Sequence, residues 1–236
     1  MAANNSCFIF DVDGTLTDAR QPMDAEFESF FKSWMQDKNV YLVSGSDLEK
    51  IEEQVPENIL LKCKGIFSCM GNEYWKNGEL VYQKKFELDD DALEWLCSQI
   101  DSSEFGYRKP PHFEFRSGSI NFSVVGRGAS KYLRDFYYVW DEARKERENI
   151  AKQFNKKFKK KYSVEALLGG QISLDIQKIG SDKGQVFEHL PHDATIFFGD
   201  RCYQGGNDFA LAKKCNTYWQ VEGWKDTQQI IQKNYA

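Results

Sequence analysis

The chain has 236 residues, 41% hydrophobic and 15% aromatic, and carries a formal net charge of −5. That length suits one large domain or a core with an inserted module, and the apolar content excludes a disordered chain. The acidic balance argues against a general nucleic-acid binder, and no apolar run approaches the ~20 residues that span a membrane.

The run Phe8-Ile9-Phe10 leads into Asp11-Val12-Asp13-Gly14-Thr15-Leu16-Thr17. It reads as a buried strand of a parallel sheet that delivers two aspartates at its carboxyl end, where ligands bind in open α/β sheets. Carboxylates this close repel each other unless a cation or a function needs them. Mg²⁺ prefers such hard oxygen ligands and usually shares them with substrate phosphate. A carboxylate also attacks phosphorus and carries the phosphoryl group. The reading is therefore Asp11 as nucleophile, Asp13 as general acid/base, and Thr15 as an anion-binding residue through its hydroxyl and N–H.

Phe27, Phe30, Phe31 and Trp34 recur at helical spacing and predict a helix over Asp24–Gln36. Asn39–Val43 is a second strand. It ends at Ser44-Gly45-Ser46, a turn suited to cradle phosphate ahead of a helix over Asp47–Gln54. Ile66–Cys69 and Tyr74-Trp75 follow, with a hairpin turn at Lys76-Asn77-Gly78-Glu79. A short amphipathic helix is expected over Asp91–Ile100. Phe113–Val125 then alternates as a hairpin around Ser117-Gly118-Ser119, with one apolar and one polar face. Ser130 is placed as the N-cap of one long helix reaching Phe158, whose basic end, Lys156–Lys161, reads as a solvated face. The strand Gln171–Gln177 turns Ile172, Leu174 and Ile176 one way and Ser173, Asp175 and Gln177 the other. Parallel character returns with Ala194–Phe198, which ends in Gly199-Asp200. The expected organisation is an α/β core over 1–80 and 181–236, with an inserted α+β cap, built on an antiparallel sheet, over 81–180.

Asp200 sits at its strand end as Asp11 does and is the expected third metal ligand. In the loop that follows, Asn207 or Asp208 is placed to hold a metal-bound water. Lys183, ahead of an expected helix, is suited to neutralise a phosphoryl group and hold Asp11. Arg116, Arg127 and Arg134 fall on or beside the polar face of the inserted module, and guanidinium forks bind phosphate bidentately. With Arg20 beside the catalytic loop they suggest a second phosphate site, which a mutase needs for a bisphosphate intermediate and a monophosphate hydrolase needs less. Ser173 and Asp175 are suited to sugar hydroxyls. The six cysteines form no CxxC pair and read as reduced thiols. Three histidines, His189 and His192 near no cysteine and His112 at a strand end, carry no chemistry in this reading. Met1–Ser6 is too short for a signal peptide ahead of the first strand, so the expected localisation is cytoplasmic.

The DxDGT motif at Asp11–Thr15 resembles the signature of the haloacid dehalogenase (HAD) superfamily of phosphoryl-transfer enzymes. The wider set resembles the compact, cap-bearing HAD phosphomannomutases over nearly the whole chain. It comprises Ala19-Arg20, Gly45-Ser46-Asp47, Phe113-Glu114-Phe115-Arg116, Gly126-Arg127, Arg134, Gly169-Gly170-Gln171-Ile172-Ser173-Leu174-Asp175, Asp182-Lys183, Phe197-Phe198-Gly199-Asp200 and Gly205-Gly206-Asn207-Asp208. The resemblance implies Mg²⁺ held by Asp11, the Asp13 carbonyl oxygen and Asp200, with Arg20, Arg116, Arg127, Arg134, Ser173 and Asp175 on the substrate. It implies interconversion of mannose 6-phosphate and mannose 1-phosphate through an aspartyl phosphate, a hexose bisphosphate activator, and often a homodimer through the cap. A HAD sugar phosphatase is the alternative enzyme, and a non-catalytic sugar-phosphate sensor the alternative outside catalysis. The sequence departs from the family pattern at Asp18, Ser44, Cys69-Met70-Gly71 and Arg201-Cys202-Tyr203-Gln204, and in a shortened segment after Asp208.

Overall fold

The computed structural model describes residues 6–191 and 194–235; most of Met1–Ser6 lies outside them, as does His192. In chain order the elements are β1 (Cys7–Asp11), α1 (Ala25–Trp34), β2 (Asn39–Val43), α2 (Leu48–Gln54), α3 (Glu57–Leu60), β3 (Gly65–Ser68), β4 (Glu73–Lys76) and β5 (Glu79–Gln83). Next come α4 (Asp90–Ser102), β6 (Phe113–Arg116), β7 (Ser119–Phe122), α5 (Lys131–Arg144), α6 (Glu146–Tyr162), β8 (Val164–Leu168) and β9 (Leu174–Lys178). The chain ends with β10 (Thr195–Gly199), α7 (Phe209–Ala212), β11 (Thr217–Gln220) and α8 (Trp224–Asn234). Two compact units result, one from residues 1–83 and 180–236, the other from 84–179.

The first unit is a seven-stranded sheet in the order β11-β10-β1-β2-β3-β4-β5. The first five of these pair in parallel; β4 and β5 are antiparallel additions. Every residue of β1 is buried, as expected of an apolar run with sheet on both sides. Phe10 stacks on Phe198 of β10 at 4.7 Å and meets Phe31 of α1 edge-on at 5.2 Å. Asp24 caps α1 by accepting from the N–H groups of Glu26 and Phe27, and Asp47 caps α2 by accepting from Lys50 N–H. Because β1 lies between β2 and β10, the chain winds outward to either side of it. The carboxyl ends of β1 and β10 therefore flank a topological switch point, the usual crevice for a ligand in such sheets.

The second unit is a four-stranded antiparallel sheet in the order β6-β7-β9-β8. Its apolar face, with Ile120, Phe122, Leu174 and Ile176, packs with Leu96 of α4, Tyr137 of α5, and Phe154 and Phe158 of α6. On the other face the register aligns Glu114, Asn121 and Asp175 in one row across three strands.

Two sequence expectations change. The single helix from Ser130 to Phe158 is two helices: Ser130 does cap the first, but Lys145 is left-handed (φ 55°) and divides α5 from α6. The strand expected from Gln171 begins at Leu174, because Gly169 N–H donates to Ser173 O at 2.9 Å and closes 169–173 into a turn. The basic run on α6 is a solvated face as expected: Lys156, Lys157, Lys160 and Lys161 are exposed, and the pairs Lys159–Glu165 and Lys161–Asp91, each at 2.7 Å, lie at the surface. Strands β8 and β11 and helix α8 were not anticipated.

Candidate active site

Asp11 is the last residue of β1 and is buried. Lys183 opens a 3₁₀ segment, Lys183–His189, and is fully buried. Its ammonium donates to Asp11 Oδ1 at 2.5 Å and to Asp208 Oδ1 at 2.6 Å. Asp208 Oδ2 accepts from Arg201 N–H at 3.0 Å. Asp11, Asp200 and Asp208 bring carboxylate oxygens within 4.8 Å of one another. Lys183 thus faces two of the three carboxylates, and the exposed Arg201 pairs with the third, Asp200, at 3.5 Å. Burial, reinforced by Asp208, pushes the Asp11 carboxyl up to about 7 even with Lys183 beside it. Burial pulls the Lys183 ammonium down, but Asp11 and Asp208 outweigh it and hold it above the ordinary lysine range. Lys183 is therefore a fixed positive charge and is unsuited to proton transfer at neutral pH. Asp200, half-buried, is likewise raised, by desolvation and then by Asp208.

The donors in this cluster are all hard oxygens, the chemistry Mg²⁺ selects. Gly14 fits the same purpose. It has φ 76°, and a Cβ there would come within 2.7 Å of Asp200 Oδ2, so only glycine lets the β1 loop approach that carboxylate. The Asn207 side-chain oxygen is buried without a hydrogen-bond partner nearby. The residues present fit a divalent cation. Asp208, with both oxygens engaged by Lys183 and Arg201, is built first to hold the lysine.

Asp13 lies two residues beyond Asp11, and its Oδ1 accepts from Arg20 N–H at 2.8 Å. That bond folds the exposed Arg20, itself at φ 60°, back over the loop. The Thr15 hydroxyl is buried and has no partner, whereas the Thr15 N–H turns inward to Val12 O at 3.2 Å. Of the two donors expected from Thr15, the hydroxyl alone is available to an anion. The Ser44-Gly45-Ser46 turn is likewise partly occupied. Ser44 Oγ accepts from Ser46 N–H at 3.0 Å, and the Ser44 and Ser46 carbonyls accept from the N–H groups of Met70 and Cys69.

In the second unit, Glu114 accepts from Arg116 Nε at 2.7 Å and from Arg127 Nε at 2.8 Å. Arg116 first, with Arg127, holds the Glu114 carboxyl below the usual range. Arg134 donates to Ala129 O and Arg127 O, at 2.9 and 2.8 Å, so it braces the loop that carries Arg127. Gly126 on this loop (φ 93°) leaves no space for a side chain: a Cβ would lie 1.9 Å from Lys109 O. Asn121 donates from Nδ2 to Ser173 Oγ at 3.0 Å and to Asp175 Oδ1 at 2.6 Å. Its Oδ1 is buried with no partner. Since Asp175 can only accept, the amide orientation is settled, and Asn121 is left with an acceptor directed at nothing in the protein. The sequence reading placed Asn121 on the polar face and gave it no role; its register opposite Asp175 was the missing signal.

The cysteines are free thiols. Burial pushes Cys7, Cys63 and Cys202 up to about 12, which suits inert thiols rather than nucleophiles. His112 meets Ser123 O through Nδ1 at 2.9 Å, and His189 packs against the Tyr82 ring at 4.9 Å.

A parallel sheet with aspartates at the ends of β1 and β10, a buried lysine bonded to the first of them and to Asp208, and an inserted α+β unit defines a HAD-type fold equipped for phosphoryl transfer. The solved C-terminal domain of Candida albicans trehalose-6-phosphate phosphatase shares this fold, with TM-score 0.58, 18% identity, and coverage of 90% of this chain and 73% of that one. The model of the family described as "Eukaryotic phosphomannomutase" matches residues 27–236. Phosphomannomutase 1 of Dictyostelium discoideum is 32% identical over 217 residues, covering 88% of this chain and 87% of the relative. A phosphomannomutase of Oryza sativa subsp. indica is 34% identical over 216 residues, covering 89% and 87%. The chain belongs to the eukaryotic phosphomannomutase family.

Proposed function

We propose that the protein interconverts mannose 6-phosphate and mannose 1-phosphate, with Asp11 as nucleophile. The observation that carries this is the charge arrangement around Asp11: a buried carboxylate at the end of a central strand, held by a fixed ammonium and set beside two further carboxylates. A resting enzyme primed by a hexose bisphosphate carries the phosphoryl group on Asp11. The free sugar hydroxyl attacks phosphorus, the bond to the Asp11 oxygen breaks, and Asp13 accepts the hydroxyl proton. After the bisphosphate reorients, Asp11 attacks the other phosphate and Asp13 returns the proton to the departing sugar oxygen. Mg²⁺ held by Asp11, Asp200 and the Asp13 carbonyl would neutralise and align the transferring phosphoryl group. Lys183 holds Asp11 in place and offsets its charge, and the Thr15 hydroxyl is available to a phosphoryl oxygen, with Ser44, Gly45 and Ser46 lining the neighbouring turn.

Arg116, Arg127 and Arg134 of the second unit take the non-reacting phosphate in this reading, and Arg20 of the first unit is proposed as a substrate-binding residue. Ser173, Asp175 and the unpartnered Asn121 oxygen take sugar hydroxyls, and such matched polar groups discriminate strongly against substrates that lack them. Phosphorus NMR with Mg²⁺, mannose 1-phosphate and a trace of glucose 1,6-bisphosphate tests the proposal. Conversion to the 6-phosphate without inorganic phosphate is expected. Steady release of inorganic phosphate without the isomer would replace the mutase by a sugar phosphatase.

No helix among the described residues is long and apolar enough to cross a membrane, and the protein is proposed to work in the cytoplasm. A homodimer through the inserted unit is proposed as well. Tyr132, Phe136 and Val139 follow one another along one face of α5 and are 82%, 46% and 68% exposed. Sedimentation should report a dimer that Val139→Glu converts to monomer; a monomeric parent at micromolar concentration would remove this part of the reading.

A further inference from the structure

Arg147 lies in a charge-rich stretch of α6, yet it is buried, and so is its partner Asp141 at the end of α5. Asp141 accepts twice from Arg147: Oδ1 from its backbone N–H at 2.8 Å and Oδ2 from Nε at 2.7 Å. The left-handed Lys145 between the two helices brings these residues together. With Nε committed to Asp141, the Nη1 end reaches past the helix pair to the carbonyls of Gly170, at 2.8 Å, and Gly169, at 3.4 Å.

Those glycines form the turn that precedes β9. Gly169 N–H closes onto Ser173 O. A Cβ on Gly169 would come within 2.8 Å of Ser173 Oγ and 2.9 Å of Asp175 Oδ2, so its backbone is packed directly against both side chains. The Gly169–Gly170 pair that opens this turn has little conformational preference of its own. Something must hold it for Ser173 and Asp175 to keep a constant geometry.

We infer that Arg147 is a positioning residue for sugar recognition: Asp141 orients its guanidinium, which fixes the Gly169–Gly170 backbone and through it Ser173 and Asp175. This rests on the proposed role of Ser173 and Asp175 at the sugar. A buried ion pair is weak evidence of stabilisation in itself, and replacing both partners together by neutral groups is often harmless to stability. That property separates positioning from a purely structural role.

Two variants make the test. Arg147→Lys keeps the charge facing Asp141 but lacks the planar fork that reaches Gly170. Arg147→Met combined with Asp141→Asn removes both charges and leaves an acceptor for the residue-147 N–H. Both are expected to melt near the parent, with KM for mannose 1-phosphate raised about tenfold and kcat changed less than about twofold. Amide exchange should quicken over residues 169–173 while α5 and α6 stay protected. Parental KM in either folded variant, or unchanged exchange over 169–173, overturns the inference. If the parent neither binds nor converts mannose 1-phosphate, the functional reading fails instead, and the exchange measurement still decides whether Arg147 holds the turn.

Discussion

Asp11→Asn is expected to lower turnover on the order of 10⁴-fold or more, because an amide oxygen neither attacks phosphorus at a useful rate nor carries the phosphoryl group. The same substitution should leave the melting temperature unchanged or raise it by a few degrees. Asp11 is one of three clustered carboxylates, and burial already holds its carboxyl up to about 7. Removing its charge leaves Lys183 balanced by Asp208, at 2.6 Å, while the amide oxygen can still accept from the lysine. Loss of activity with retained or improved stability marks a group kept for chemistry against the interest of the fold. Turnover above about a hundredth of the parent would remove Asp11 from its assigned role. A melting temperature lowered by more than about 5 °C would contradict the charge argument.

What could be read in the sequence followed from where each residue stands in its element. β1 and β10 are uninterrupted apolar runs, so their buried character was plain, and Asp11 and Asp200 were placed at strand ends before any geometry was known. The alternation in β6, β7 and β9 similarly separated the apolar from the polar face. Features that depend on partners far along the chain were not visible. Nothing in Glu142-Ala143-Arg144-Lys145-Glu146 announces a left-handed residue, and periodicity alone carried the helix straight through it. Arg147 carries no local mark of its role, because its partners are Asp141 across that break and two carbonyls over twenty residues away. Thr15 looked able to offer two donors, but its N–H is consumed by the turn that Gly14 makes possible. Side-chain pairing against distant backbone decided each of these cases, and a local pattern does not contain that information.

Lys183→Met is expected to cost the most stability of any single change in the core. The ammonium is fully buried and bonded to two buried carboxylates. Deleting one partner of a buried ion pair costs about 3–5 kcal/mol, since the remaining charge is left without compensation. Here two carboxylates lose the same counter-charge. At roughly 2–4 °C per kcal/mol for a domain of this size, the melting temperature should fall by about 10 °C or more. Adding Asp208→Asn should recover part of that loss by removing one of the two stranded charges. Mg²⁺ supplies a second check on the same physics. In the parent, Lys183 already offsets part of the acidic cluster; in Lys183→Met the exposed Arg201, 3.5 Å from Asp200, remains at the rim, and a bound cation would replace the counter-charge that Asp11 and Asp208 lose. Millimolar Mg²⁺ should therefore raise the melting temperature of the variant by more than it raises that of the parent. A variant that melts within about 2 °C of the parent, or one that Mg²⁺ stabilises less than the parent, would show that the three carboxylates do not share one electrostatic site.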